Sequence, residues 1–149
     1  MKRIITAVFI SLVTISTSAQ FVRQTDEVPA YNGAPPPKGA KLAPILSGAQ
    51  LSGPTFGHPA QVKSYKEAAK YAGVLHQLPC YCHCDRNHGH ASLRTCFESE
   101  HGANCSTCMQ EALFAAEQTR KGKTAKQIRA AIIRGEHQQV DLRRVTSPN

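Results

Sequence analysis

Leu78-Pro79-Cys80-Tyr81-Cys82-His83-Cys84-Asp85-Arg86-Asn87-His88-Gly89-His90 is the stretch whose reading decides the fold. Three cysteines alternate in it, one histidine lies among them and two follow, and almost nothing in it can build an apolar core. Pro79 pushes the residue before it out of the helical region, so a preceding helix must stop there. The remaining cysteines are Cys96, Cys105 and Cys108, and His101 lies among them. All six cysteines of the 149-residue chain therefore fall between positions 80 and 108.

Working outward from this loop, the periodicity predicts helices on both sides. Before it, Val62, Tyr65, Ala69 and Ala72 recur at helical spacing, with Leu75 continuing the stripe. Lys63, Lys66, Glu67 and Lys70 fall mostly on the other face. Within the Cys/His region, Ala91 to Glu98 can form a short helix that turns Leu93, Cys96 and Phe97 inward. Ser99 to Asn104 reads as a polar loop. After it, Ser106 to Lys121 forms a longer helix burying Met109, Leu113 and Ala116, with Gly122 suited to a left-handed C-cap. Thr124 and Gln127 have capping-box spacing, opening a last helix over Ala125 to Arg134 that buries Ile128, Ala131 and Ile132. The expected fold is all-α: a small bundle of about four short helices around a Cys/His-rich loop.

The N-terminal part does not belong to that bundle. Met1-Lys2-Arg3, the apolar run Ile4 to Ile15 and the small residues Thr17-Ser18-Ala19 have the layout of a secretory signal peptide cleaved after Ala19. The run falls short of the ~20 apolar residues of a spanning helix. No cysteine near the cleavage site offers lipid attachment, so the expectation is an exported protein, periplasmic or extracellular, that is not a lipoprotein. Residues 20–59 are rich in Pro, Gly, Ala and Ser, with Pro35-Pro36-Pro37 as the stiffest part, and read as an extended tether. Leu42, Ile45, Leu46, Leu51 and Phe56 can lay it against the domain. The domain spans 60–136, and 137–149 is a polar tail in which His137 reads as a surface residue.

The formal charge of +8 fits solubility and weak attraction to anionic surfaces. There is no alternation of aromatic and basic residues of the kind single-strand binders use, so no nucleic acid is expected. No nucleotide loop is present. No Cys-x-x-Cys is followed by His, so covalent haem is not indicated.

Three chemistries fit the cysteines. Thiolate and imidazole are donors that suit zinc and copper(I). The candidate metal ligands are Cys80, Cys82, Cys84, Cys105 and Cys108, with Cys96, His90 and His101 next. Cys105 and Cys108, three apart at a helix start, lie on one face. Residues two apart in an extended strand are separated by about 6.6 Å, so the Cys80–Cys84 loop must bend for its sulfurs to meet one ion. The second chemistry is thiol–disulfide exchange, with Cys105 and Cys108 as a catalytic pair at a helix N-terminus that lowers thiol pKa. The third is a set of structural disulfides in a small exported interaction module. Alternating cysteines fit that reading badly, because neighbours two apart reach disulfide geometry only with strain. A metal ion, and a redox or metal-transfer protein, are the partners these readings imply.

Pro79-Cys80-Tyr81-Cys82-His83-Cys84 resembles the motif of a family of exported bacterial proteins, the CYCXC or PCYCGC type. The resemblance continues through Gly89-His90-Ala91-Ser92-Leu93, Cys96-Phe97, the Cys105/Cys108 pair, and Gly122-Lys123-Thr124 to Ile128-Arg129, covering about residues 60–135. Some members are described as selenoproteins, which implies thiol redox chemistry, and several are lipoproteins. The resemblance implies no substrate.

Overall fold

His58 and Pro59 start the first helix. Proline at the first helical position has no N–H to satisfy, and its fixed φ suits the turn. The His58 ring accepts the Ala60 N–H at 3.1 Å, and Gln61 accepts the His58 N–H at 2.8 Å. In this computed structural model, which describes residues 27–146, the helix is α1 (Pro59–Lys70). It breaks at Tyr71, whose backbone leaves the helical region, and resumes as α2 (Ala72–Leu75). The stripe differs from the expected one by a residue: Tyr65, Ala68 and Leu75 are buried, whereas Ala69 is exposed. Adjacent alanines offer no contrast in hydropathy, so packing against the partner helix decides the register. That partner is α4 (Ser106–Arg120). Small, fully buried residues on both, Ser64 and Ala68 against Ala112, Ala115 and Ala116, suit a close approach.

α4 is the central element and is buried on most of its circumference. It ends as expected, with Gly122 at φ 79°. The Thr124–Gln127 capping box is formed, with Gln127 accepting the Thr124 N–H at 2.9 Å. It opens α5 (Ala125–Ile133), which buries Ile128, Ala131 and Ile132.

Between α2 and α4 the chain is irregular. A five-residue helix, α3 (Cys84–His88), stands where the sequence reads as loop. His83 and Gly89, both left-handed, bracket it. Two 3₁₀ turns follow, Leu93–Phe97 and Glu100–Asn104. The first replaces the expected 91–98 helix, since Ser92 is fully extended and too few residues remain for two α turns. The architecture is all-α, with no strand among the described residues. No helix among them is long and apolar enough to cross a membrane. The expected signal segment lies outside the described residues.

Among the described residues, the Pro-rich stretch is fastened to the bundle at several points. Phe56 is buried, and Ile45, Leu46 and Leu51 pack on the core, as their hydropathy predicts; Leu42 stays exposed. Leu46 N–H donates to the Phe97 carbonyl at 3.0 Å. Arg94 donates to the Ala43 carbonyl at 2.6 Å and pairs with Glu98. At the other end, a 3₁₀ turn over Glu136–Gln139 buries His137 against the bundle. This corrects the reading of His137 as a surface residue: Gly135, at φ 80°, turns the chain back onto α4.

Candidate metal centre

The bend that the alternating cysteines require is a tight turn. The Cys80 carbonyl accepts the His83 N–H at 3.0 Å, and His83 sits at φ 56°, the one non-glycine residue with positive φ among those described. This turn swings Cys82 back over Cys80, and α3 then carries Cys84 inward. Cys108, in the first turn of α4, reaches the same point from the opposite side. The result is a sulfur triangle: Cys80 to Cys82 3.1 Å, Cys80 to Cys108 3.4 Å, Cys82 to Cys108 3.6 Å. Ligands on a tetrahedral zinc with ~2.3 Å bonds lie about 3.8 Å apart, so the triangle is close to one face of such a site. Cys84 lies 2.6 Å from Cys82. All six cysteines are free thiols, and no pair is bonded.

Two donor groups emerge. The sulfurs of Cys80, Cys82, Cys84, Cys96 and Cys108 all lie within 4.8 Å of one another. The donor atoms of Cys84, Cys96, His90 and His101 do so as well. Within the second group, His101 Nε2 is 2.9 Å from Cys84 Sγ, and His90 Nδ1 is 3.3 Å from Cys96 Sγ. These are groupings that can hold a metal ion. Cys105, also a candidate ligand, belongs to neither. It is the extended residue that precedes α4, half-buried, with its thiol turned to Cys82 and Cys108. His88 is exposed and outside both groups, yet its ring centre is 4.7 Å from that of His101 and 5.7 Å from that of His90.

The thiols do not share charge evenly. Hydrogen bonds from Cys105, Cys108 and Cys80 converge on Cys82 and hold its pKa far below the ordinary range. Cys108 is pushed up because it is the donor toward Cys105, Cys80 and Cys82. At Cys80 the bond with Cys108 works downward, but those with Cys82 and Cys96, with burial, drive the thiol up. Burial first, then its hydrogen bond with Cys82, raises Cys84. One thiolate ringed by thiol donors is the state a metal-free cluster of this density adopts, since like charges this close resist joint ionisation. A cation reverses that preference, because metal ligation requires thiolates. Burial and the neighbouring His101 and His88 hold His90 below its usual value, which favours the neutral, ligating imidazole.

One residue at this site was not singled out from the sequence. Glu111, one helical turn beyond Cys108, is fully buried. Its Oε1 accepts the Tyr81 N–H at 2.8 Å, which ties the motif loop to α4. Burial pushes its carboxyl up to about 8, against the Tyr81 and Cys80 hydrogen bonds, which lower it. His137 approaches it at 3.9 Å and stacks on Tyr81 with ring centres 6.3 Å apart. The available signal was its position: an acid three residues after Cys108, directly before the apolar run Ala112 to Ala116.

Fold and site together define a small helical protein that gathers thiols and imidazoles at the start of its central helix. The chain belongs to the family described as protein of unknown function with PCYCGC motif, which it matches over residues 52–140. No curated protein and no solved structure matches it. In this chain the motif reads Pro79-Cys80-Tyr81-Cys82-His83-Cys84, so His83 occupies the position that the family's motif gives to glycine.

Proposed function

We propose that the protein is an exported metal-binding protein that holds zinc or copper(I) through its Cys/His cluster. One observation carries this reading: five sulfurs from three separate stretches of chain, 80–84, 96 and 108, converge within 4.8 Å of one another. Soft thiolates in this number suit zinc and copper(I) and disfavour magnesium or calcium, which take oxygen ligands. Export rests on the N-terminal sequence pattern, and the metal is then acquired outside the cytoplasm. Buried sulfurs that meet as a cluster rather than in pairs favour this reading over a disulfide-stapled interaction module.

A second reading, thiol–disulfide exchange, draws support from Cys105. It is the half-exposed thiol at the start of α4, beside Cys108 and outside both donor groups. One experiment separates the readings: the protein is purified from the exported fraction, and its metal content and free thiols are measured together. Near-stoichiometric metal, with six titratable thiols after chelation, is expected. A thiol count that changes with redox buffer, with little metal, favours exchange. Absence of both metal and free thiols overturns the metal reading.

A further inference from the structure

The two donor groups are not separate. They share Cys84 and Cys96. A tetrahedral ion has four positions, and the first group alone offers five sulfurs. His90 and His101 complete a second set of four only together with the shared pair. One ion therefore leaves either the imidazoles or several sulfurs without a role. A single divalent ion also leaves five clustered thiolates well short of neutrality, in a place where uncompensated charge is costly. A second cation reduces that excess.

We infer that the cluster is a two-ion centre in which Cys84, 2.6 Å from the Cys82 sulfur and 2.9 Å from His101 Nε2, bridges the ions. The inference rests on the metal reading above. Cys80, Cys82 and Cys108 hold the first ion from the α4 side. Cys96, His90 and His101 hold the second on the more open side, where His88 stands beside the imidazoles. The two ends differ in chemistry: the first is all sulfur and mostly buried, whereas the second has half-buried imidazoles. The second ion is accordingly the more labile, and it exchanges first when a competing chelator or a partner protein's thiols approach.

Ion counting tests this directly. The full chain is reduced, stripped of metal and loaded with zinc(II), and native mass spectrometry counts the bound ions. Two zinc ions per chain are expected. Saturation at one overturns the two-ion inference and leaves the metal reading standing; no bound zinc overturns both. The double variant His90→Ala with His101→Ala should hold one ion. Both side chains are outside the apolar core, and circular dichroism checks that the helices persist. Retention of two ions by that variant overturns the assignment of the second ion. Cobalt(II) tests the bridge. Two cobalt ions joined by shared sulfur couple magnetically, so the paramagnetic resonance signal per ion should drop as the second equivalent is added. A signal that simply doubles overturns the sharing of Cys84.

Discussion

The layer formed by α1, α4 and α5 and the irregular segment 78–104 bury their interiors by different means. α1 and α5 begin with capping side chains, His58 and Thr124, and α5 is entered and left through left-handed glycines, Gly122 and Gly135. Their interior is Tyr65, Phe114, Ile128 and Ile132 with alanines between. Hydrophobic burial alone can order such a layer, at roughly 25 cal/mol per Å² of apolar surface. Segment 78–104 has no helix longer than five residues. Much of what it buries is polar or sulfur-bearing: Cys80, Cys84, Ser92, Arg94 and Cys96. The contrast teaches that apolar burial packs the helical layer, while the segment is packed around its sulfurs and tied to the layer by a few braces.

Chelation is the strongest way to break that comparison. Under reducing conditions, removing metal from the loaded protein should raise amide exchange across 80–101 by about 100-fold or more, the scale of stabilisation lost with a tightly bound ligand. Amides in the later half of α4 and in α5 should change by only a few-fold. Hydrogen exchange followed by mass spectrometry reads both at once. Uniform loss over both regions denies the helical layer its independence; no change at 80–101 denies the metal its structural part.

Tyr65 is the main brace between the regions, and removing its hydroxyl gives the next largest effect. The hydroxyl donates to the Ser99 carbonyl at 2.5 Å and accepts the Ala103 N–H at 3.1 Å. Burial pushes the phenol up to about 12, so the proton stays in place to be donated. Its ring stands edge-on to Phe56 and Phe97, with centres 5.1 and 4.9 Å away. Tyr65→Phe keeps those ring contacts, leaves the buried Ala103 N–H unpaired at a cost of about 1–3 kcal/mol, and frees the Ser99 carbonyl as well. Urea unfolding should show a loss of about 2–3 kcal/mol. Metal affinity should fall with it, because the 99–104 turn carries His101. A loss below about 0.5 kcal/mol removes Tyr65 from the coupling.

The two regions were not equally legible in the sequence. The α5 cap and the Gly122 turn follow from rules that act over three or four residues, so Thr124, Gln127 and Gly122 could be placed without any tertiary information. The cysteine cluster was legible as a density of donors, and its convergence followed from the need for Cys80–Cys84 to bend. Its membership was not. Cys105 and Cys108 look equivalent three apart, yet Cys105 is the extended residue before α4 and Cys108 lies inside the first turn, so only the latter joins the sulfur triangle. Glu111 and His137 were illegible for a different reason. Polar residues ordinarily read as exposed, and their burial is imposed by the motif loop and the 136–139 turn packing onto α4.

His83 offers the smallest and most pointed test, because it is where this chain departs from its family's motif. The turn that folds Cys82 over Cys80 needs a left-handed residue, and His83 adopts φ 56°, ψ 37°. For a residue with a Cβ that conformation costs roughly 1–2 kcal/mol, which glycine avoids, although glycine loses more backbone freedom on folding. The histidine returns little that is visible: its Nδ1 is buried without a hydrogen-bond partner, and its ring meets Tyr81 edge-on at 6.1 Å. His83→Gly should therefore stabilise the metal-free, reduced protein by about 0.5–1 kcal/mol in urea unfolding, with the gain confined to the motif loop by hydrogen exchange. Destabilisation by a similar amount means that the His83 ring contributes more to holding the loop against Tyr81 than the strained turn costs. In that case the braces of segment 78–104 extend into the motif itself, and the loop is less dependent on metal than its sulfur-rich interior implies.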